Sequence, residues 1–184
     1  MGIAVFTKRD ETLVKQAVKG SDKAWHLLLT RYEKPIFNYA LRMTGNADDG
    51  ADLMQDIFIS VYRSLTQYKG DGAFKSWLFR IAHFRCVEYY RRKRHWVDVD
   101  SVPEMESEAS CHDVALHSSR QSRALIEAMQ GLPLNQKAVI ELKFFGHFTF
   151  EDIANQLDVS VNTVKSRLYS GLSKLKLELD NELS

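Results

Sequence analysis

The stretch Phe150-Glu-Asp-Ile-Ala-Asn-Gln-Leu-Asp-Val-Ser-Val-Asn-Thr-Val-Lys-Ser-Arg-Leu-Tyr-Ser-Gly-Leu-Ser-Lys-Leu175 decides how the rest of the chain is read. Wound as a helix from Val161, it places Val161, Val164, Leu168, Leu172 and Leu175 in one apolar stripe, the mark of a helix packed on one side. Asn162, Lys165, Ser166, Tyr169 and Ser173 fall on a separate face. Short hydrogen-bonding groups, a cation and an aromatic suit base edges and phosphates. Ser160 stands ahead as an N-cap, and Asp158 sits in a turn where a short polar residue tolerates left-handed backbone. The preceding helix supplies Ile153, Ala154 and Leu157, with Ala154 small enough for close approach. Thr149 caps that helix, with Asp152 at the capping-box position. The unit reads as a helix-turn-helix, although an ordinary packed helix pair shows the same stripe.

From Asp10 to Arg94 the pattern is one of helix after helix. Asp10 is placed to cap a helix carrying Leu13, Val14, Ala17 and Val18, and Ser21 to cap the next, carrying Trp25, Leu28, Leu29 and Tyr32. Pro35 is placed in the first turn of a third helix with Ile36, Phe37, Ala40, Leu41 and Met43, closed by Thr44-Gly45-Asn46. From about Asp48 to Leu65 a helix turns Leu53, Ile57, Val61 and Leu65 inward. Its other side aligns Asp49, Asp52 and Asp56 with Gln55, a row that the helix macrodipole also favours on any solvated face. After the glycine-bearing loop Gln67 to Gly72 comes a long helix with Trp77, Leu78, Ile81, Ala82 and Val87 inward. It ends in the cations Arg91, Arg92, Lys93 and Arg94. Aromatics interleaved with so many cations suit stacking and phosphate contact.

From Trp96 to about His117 the periodicity lapses, acidic residues accumulate, and Lys and Arg are absent. This reads as a flexible acidic linker. Helices resume with Leu125, Ile126, Ala128 and Met129, then Asn135 to Phe145 with Ala138, Val139, Leu142 and Phe145 inward. No strand is required, so the expected fold is all-α: a helical domain over 1–95, a linker over 96–120 and a second helical domain over 121–184.

The formal net charge of +1 hides an asymmetry. Up to His95 there are 17 Lys and Arg against 10 Asp and Glu; beyond it there are 8 against 14. A basic front half attracts nucleic acid. Cys86 and Cys111 are too few for a disulfide framework and lack zinc-site spacing, which fits reduced thiols in a cytosolic protein. No metal or cofactor is expected. The N-terminus is too polar for a signal peptide and no apolar run reaches membrane-spanning length, so no membrane insertion is expected. The histidines are scattered and no phosphate-binding loop follows a strand, which argues against an enzyme.

The halves together resemble the extracytoplasmic-function (ECF) sigma factors of the sigma-70 family. Asp49-Gly-Ala-Asp-Leu-Met-Gln-Asp-Ile-Phe58 is similar to the family's acidic helix. Tyr68 to Ala82 is similar to its melting loop and minus-ten-reading helix, and Leu132 to Leu175, with Thr163-Val-Lys-Ser-Arg167, to its region four. The resemblance implies a promoter-specificity subunit without catalysis of its own, partnered by core RNA polymerase through the beta-prime clamp and beta flap, by promoter DNA, and by an anti-sigma factor or other regulator. It implies clamp contact by Asp49, Asp52, Gln55 and Asp56. The loop with Lys69, Asp71 and Gly72 would hold a flipped base, and Phe84, Glu88, Arg91 and Arg92 would follow the single strand. Lys143, Asn162, Thr163, Lys165, Ser166, Arg167 and Tyr169 would face the minus-thirty-five element, and the acidic linker would run through the RNA-exit path. A self-sufficient dimeric helix-turn-helix regulator is the alternative; it has no need of the acidic helix or the loop.

Three departures qualify the resemblance. Ala51 stands where the family commonly has Glu, which removes one clamp charge. Phe84 and Glu88 replace a common Asn and Asp, and Ser170-Gly171 interrupts the basic run of the recognition helix. Ser60 and Thr66, beside the acidic row, are candidate phosphorylation sites; each phosphate would add about 1.5 to 2 negative charges.

Overall fold

A computed structural model describes residues 9–70, 72–99 and 120–182. Among them the chain forms eight α-helices and no strand: α1 (Asp10–Val18), α2 (Asp22–Thr44), α3 (Ala47–Ser64), α4 (Phe74–Val99), α5 (Arg120–Gln130), α6 (Leu134–Ile140), α7 (Phe150–Leu157) and α8 (Val161–Glu182). A 3-10 turn over Leu65–Gln67 follows α3, and a π-turn over Glu141–Phe145 follows α6.

Helices α1 to α4 make the front half. Ser21 caps α2 by accepting from the Ala24 N–H, as its position implies. Asp10 does not cap α1: Arg9 holds that position, and Asp10 accepts from the Tyr32 hydroxyl at 2.5 Å and from Arg31. The local cap loses to a tertiary pair of donors. Pro35 does not begin a helix either; it lies inside the 23-residue α2. Proline forfeits one backbone hydrogen bond there, but Leu28, Tyr32, Ile36, Tyr39, Ala40 and Met43 form one buried stripe running past it on both sides. Gly45 ends α2 with φ 77°, and Asn46 then caps α3 by accepting from the Asp48 and Asp49 N–H groups. Gly50 permits a close crossing, since a Cβ there would lie 3.2 Å from the Leu41 backbone.

In α4 the buried positions are Phe74, Leu78, Phe79, Ala82 and Cys86, while Val87 is 39% exposed, contrary to the expected inner face. The four-residue steps from Phe74 through Leu78 and Ala82 to Cys86 set the buried seam, and Val87 lies a residue beyond it. Helix α4 also continues through residues 96–99, where the periodicity suggested linker. The remainder of the expected linker, 100–119, lies outside the described residues, as does Cys111.

The back half packs α5, α6 and α7 on α8. Phe145, expected inward, is 37% exposed. The π-turn adds a residue to the turn and rotates the chain beyond it, carrying Phe145 off the buried side of Ala138, Val139 and Leu142. The halves are themselves in contact: α4 packs on α7, and α2 on α5 and α6.

Candidate nucleic-acid interface

The helix-turn-helix is built by short-range chemistry. Thr149 Oγ1 accepts from the Asp152 N–H at 3.1 Å, and the Asp152 carboxylate accepts from the Thr149 N–H at 3.1 Å, closing a capping box. Asp158 ends α7 in the left-handed region at φ 53°. Ser160 Oγ then accepts from the Thr163 N–H at 3.0 Å and restarts the chain as α8. Val164, Leu168 and Leu175 are buried, with Val161 and Leu172 half-buried beside them. At Gly171 a Cβ would come within 2.9 Å of Ile140 Cδ1 and 3.2 Å of Gln136 Cβ, so the glycine that interrupts the basic run also lets α8 lie close on α6.

On the opposite side Asn162, Lys165, Ser166 and Tyr169 are all exposed, Tyr169 at 64%. Lys143 reaches the same neighbourhood from the π-turn. Its Nζ lies 4.5 Å from the centre of the Phe150 ring, with Lys165 Nζ 5.5 Å from the same centre. Two cations thus flank one ring at the head of α7. Thr163 is half-buried and joins the Ser160 cap, its hydroxyl 2.8 Å from Ser160 Oγ. Arg167 is half-buried, and its charge bears on His83 of α4.

The acidic and basic rows of the front half face each other. Asp49 accepts from the Tyr89 hydroxyl at 2.7 Å and lies 3.5 Å from Lys93 Nζ. Asp56 accepts from Arg92 at 3.1 Å, so an expected clamp residue and an expected DNA residue form one pair. At 58% and 47% side-chain exposure this pair is weak and easily exchanged. Asp52 and Gln55 are exposed; Ala51 is half-buried. Ser60 donates to the Asp56 carbonyl at 2.6 Å, turning its hydroxyl toward the helix backbone, while Thr66 is exposed in the 3-10 turn. Along α4, Phe84 is 60% exposed, Arg91 is exposed, and Glu88 accepts from Arg85 at 2.6 Å.

The loop before α4 rests on aromatic packing. Phe74 is 2% exposed, with ring centroids of Tyr32, Tyr68 and Trp77 each 5.7 Å away. Tyr68 donates its hydroxyl to the Gly72 carbonyl at 2.7 Å. Gly70 and Gly72 adopt φ 80° and 88°, a backbone closed to most side chains. Lys69 and Gly72 are exposed; Asp71 lies outside the described residues.

Periodicity gave no hint of the polar seam between the halves. Glu141, 1% exposed, accepts two bonds from Arg42 at 2.6 and 2.7 Å, and the Arg42 guanidinium lies 3.9 Å from the Phe145 ring centre. Burial pushes the Glu141 carboxyl above its ordinary value, while Arg42 opposes the rise. Lys137, 3% exposed, donates to the Met43 carbonyl, the Tyr90 hydroxyl and Gln130 Oε1 at 3.1, 3.1 and 2.8 Å. Burial brings it down to about 8. Lys75 donates to the Gly146 carbonyl at 2.7 Å. A cleft of about 370 Å³ opens beside this seam, lined by Pro35, Arg42, Lys75, Glu141 and Phe145 among others. Lys137 and Glu141 stand four apart, a spacing that reads equally well as a solvent-facing pair, so sequence reasoning passed over them.

His83 supplies a pH test of the packing around α4. Its Nδ1 is buried without a hydrogen-bond partner among the described residues, and burial, aided by the Arg167 charge, lowers it to about 4. Above its ordinary 6.5 the ring is neutral in folded and unfolded chains alike. As pH falls from there toward 4, only the unfolded chain takes up the proton, so stability should decline across this window, by up to about 3 kcal/mol. Urea unfolding between pH 7 and 4 should show that decline, and a His83→Leu chain should lack this component. Parallel profiles for both chains would refute the assignment.

Among the described residues no group of three or more His, Cys, Asp or Glu could hold a metal ion, and no helix is long and apolar enough to cross a membrane. An all-helical chain with an acidic helix, an aromatic and basic helix, and a helix-turn-helix in that order defines a class of DNA-binding transcription protein. Residues 28–95 match the family model described as Sigma-70 region 2, and residues 122–175 that described as Sigma-70, region 4. The ECF RNA polymerase sigma-E factor of Escherichia coli K12 is 31% identical over 170 residues, covering 87% of this chain and 88% of the relative. The RNA polymerase sigma-H factor of Pseudomonas aeruginosa is 30% identical over 172 residues, covering 88% and 89%. The sigma factor RpoE of Bartonella quintana, solved with the anti-sigma factor NepR, shares the fold with a TM-score of 0.74 at 22% identity, over 86% of this chain and 98% of that one. CnrH, solved with the cytosolic domain of CnrY, gives 0.65 at 24%, over 94% and 97%. The chain belongs to the extracytoplasmic-function branch of the sigma-70 family, the bacterial RNA polymerase subunits that direct core enzyme to specific promoters and assist their melting.

Proposed function

We propose a division of labour in which α3 meets core RNA polymerase, the loop before α4 and the outer face of α4 take the minus-ten element, and α7 and α8 take the minus-thirty-five element. The observation that carries it is the exposed reading face of α8, Asn162, Lys165, Ser166 and Tyr169, presented with Lys143 on a capped helix-turn-helix. The proposed domains are 1–95 and 121–184, joined by 96–120.

On α3, Asp52 and Gln55 are presented directly to a basic beta-prime clamp surface. Asp49 and Asp56 reach it by exchanging Lys93 and Arg92 for clamp cations, at little cost for exposed pairs. That exchange also releases Arg92 to join Arg91 and Phe84 along the displaced strand, with Lys69 and Gly72 at the base-holding loop. The back half would engage the beta flap. The protein acts in the cytoplasm without catalysis, and an anti-sigma factor or comparable regulator is its expected inhibitor.

Lys165, Arg167 and Lys174 can neutralise only a few phosphates, and Arg167 is half-buried. The purified protein should therefore bind duplex promoter DNA weakly alone, yet support transcription from a cognate promoter once core polymerase is added. Gel-shift and run-off transcription with and without core measure this. Tight binding to a palindromic duplex in the absence of core would favour an autonomous dimeric regulator instead.

A further inference from the structure

We infer that Phe84 and Val87 form an apolar reader on the outer face of α4, which selects one thymine of the displaced minus-ten strand by its 5-methyl group. The inference rests on the assignment of this face to that strand, proposed above, and adds the base it prefers. Arg80, Phe84, Val87 and Arg91 follow one another at alternating steps of four, three and four residues, so they share one side of the helix. Leu78, Ala82 and Cys86 are buried on the other side. Arg80 and Arg91 are exposed, and between them Phe84 is 60% and Val87 39% exposed. Single exposed apolar residues are ordinary on any surface. Here a ring and an isopropyl group are neighbours, with a guanidinium group at either end.

The dimensions suit a single strand. Arg80 and Arg91 are about 16 Å apart along the helix axis, roughly five nucleotide steps of about 3.4 Å. Phe84 to Val87 covers about 4.5 Å, little more than one step. The cations therefore take phosphates on either side while the apolar pair meets one base. Stacking on a ring accepts any base, so the choice must come from the base edge. Neither side chain of the pair can make a hydrogen bond. Glu88, one turn beyond Phe84, has the chemistry to accept from a cytosine amino group, but it is held by Arg85 at 2.6 Å. Arg85 in turn lies 5.9 Å from the centre of the Phe84 ring. What such a patch recognises is an apolar substituent, and among the four DNA bases only thymine carries one. Burying one methyl group is worth about fourfold in affinity.

Holoenzyme formed from the full-length chain and core polymerase, equilibrated with fork-junction DNA randomised over the minus-ten element, tests this. The retained pool should carry thymine at one position of the displaced strand. At that position deoxyuridine should bind about fourfold more weakly than thymine, and 5-methylcytosine about fourfold more tightly than cytosine. Phe84→Ala should erase both differences and Val87→Ala should reduce them. Both side chains are exposed, so helical circular dichroism should not change. A pool without such a thymine, or a methyl preference that survives Phe84→Ala, would overturn the inference. Wild type that binds thymine and deoxyuridine alike, yet weakens on both with Phe84→Ala, would refute methyl selection while keeping α4 on the strand. If Phe84→Ala and Arg91→Ala both leave binding unaltered, the strand does not lie on this face, and the proposed division of labour fails with the inference.

Discussion

Phe74→Ala should cost about 3 to 5 kcal/mol of stability, the range for emptying a large aromatic from a packed core. The site cannot easily collapse, because Tyr32, Tyr68 and Trp77 surround the ring from three elements and Phe74 itself is 2% exposed. The functional consequence comes through Tyr68. Its ring packs on both Phe74 and Trp77 while its hydroxyl holds the Gly72 carbonyl, so losing Phe74 loosens the loop that carries Lys69 and Gly72. Urea unfolding should show the loss of stability. At a temperature where the variant stays folded, fluorescence of a base analogue at the minus-ten element should show slower promoter opening with core binding retained. A variant within about 1 kcal/mol of wild type would overturn this reading, because burying the ring is worth about 1.5 to 3 kcal/mol from its area alone.

Replacing both Asn162 and Lys165 by alanine should remove two base contacts at about 1 to 3 kcal/mol each, a combined loss of roughly 2 to 6 kcal/mol of discrimination at the minus-thirty-five element. Both side chains are exposed on one face of α8, and Val164 between them is fully buried, so their removal should leave the fold intact. Arg91→Ala, on α4, should instead weaken binding to many promoters alike, as expected of a phosphate contact. Run-off transcription from a panel of promoters varied at the upstream element separates the two patterns. A uniform loss in all variants would reduce α8 to a phosphate anchor and leave promoter choice to the front half.

Where sequence reading succeeded, the determining interactions lie within a few residues of one another. Thr149 with Asp152, Asp158 in the turn and Ser160 with Thr163 are local, and each lies where side-chain chemistry alone placed it. The apolar stripe of α8 is equally local, because a helix of fixed pitch converts spacing into a face. The exposed residues proposed to read DNA were legible for the same reason: they are what remains of α8 once its buried stripe is assigned.

The failures share a different physical origin. Asp10 had the chemistry of a cap but took Tyr32 and Arg31 instead, and Pro35 had the chemistry of a helix start but was carried through by a buried stripe on both sides. Asp49 and Asp56 read as one solvated acidic row, yet each meets a residue of α4 some 40 positions away. An all-helical fold, the helix-turn-helix caps and turn, and the composition of the exposed face of α8 are all encoded locally, because helix pitch and capping are short-range and nearly context-free. Which charges face solvent is a property of the packed molecule instead. Arg42 and Glu141 are 99 residues apart, and Lys137 and Met43 are 94 apart. Whether such groups meet depends on how two packed halves come together, a choice among long-range contacts that no local pattern of charge can encode.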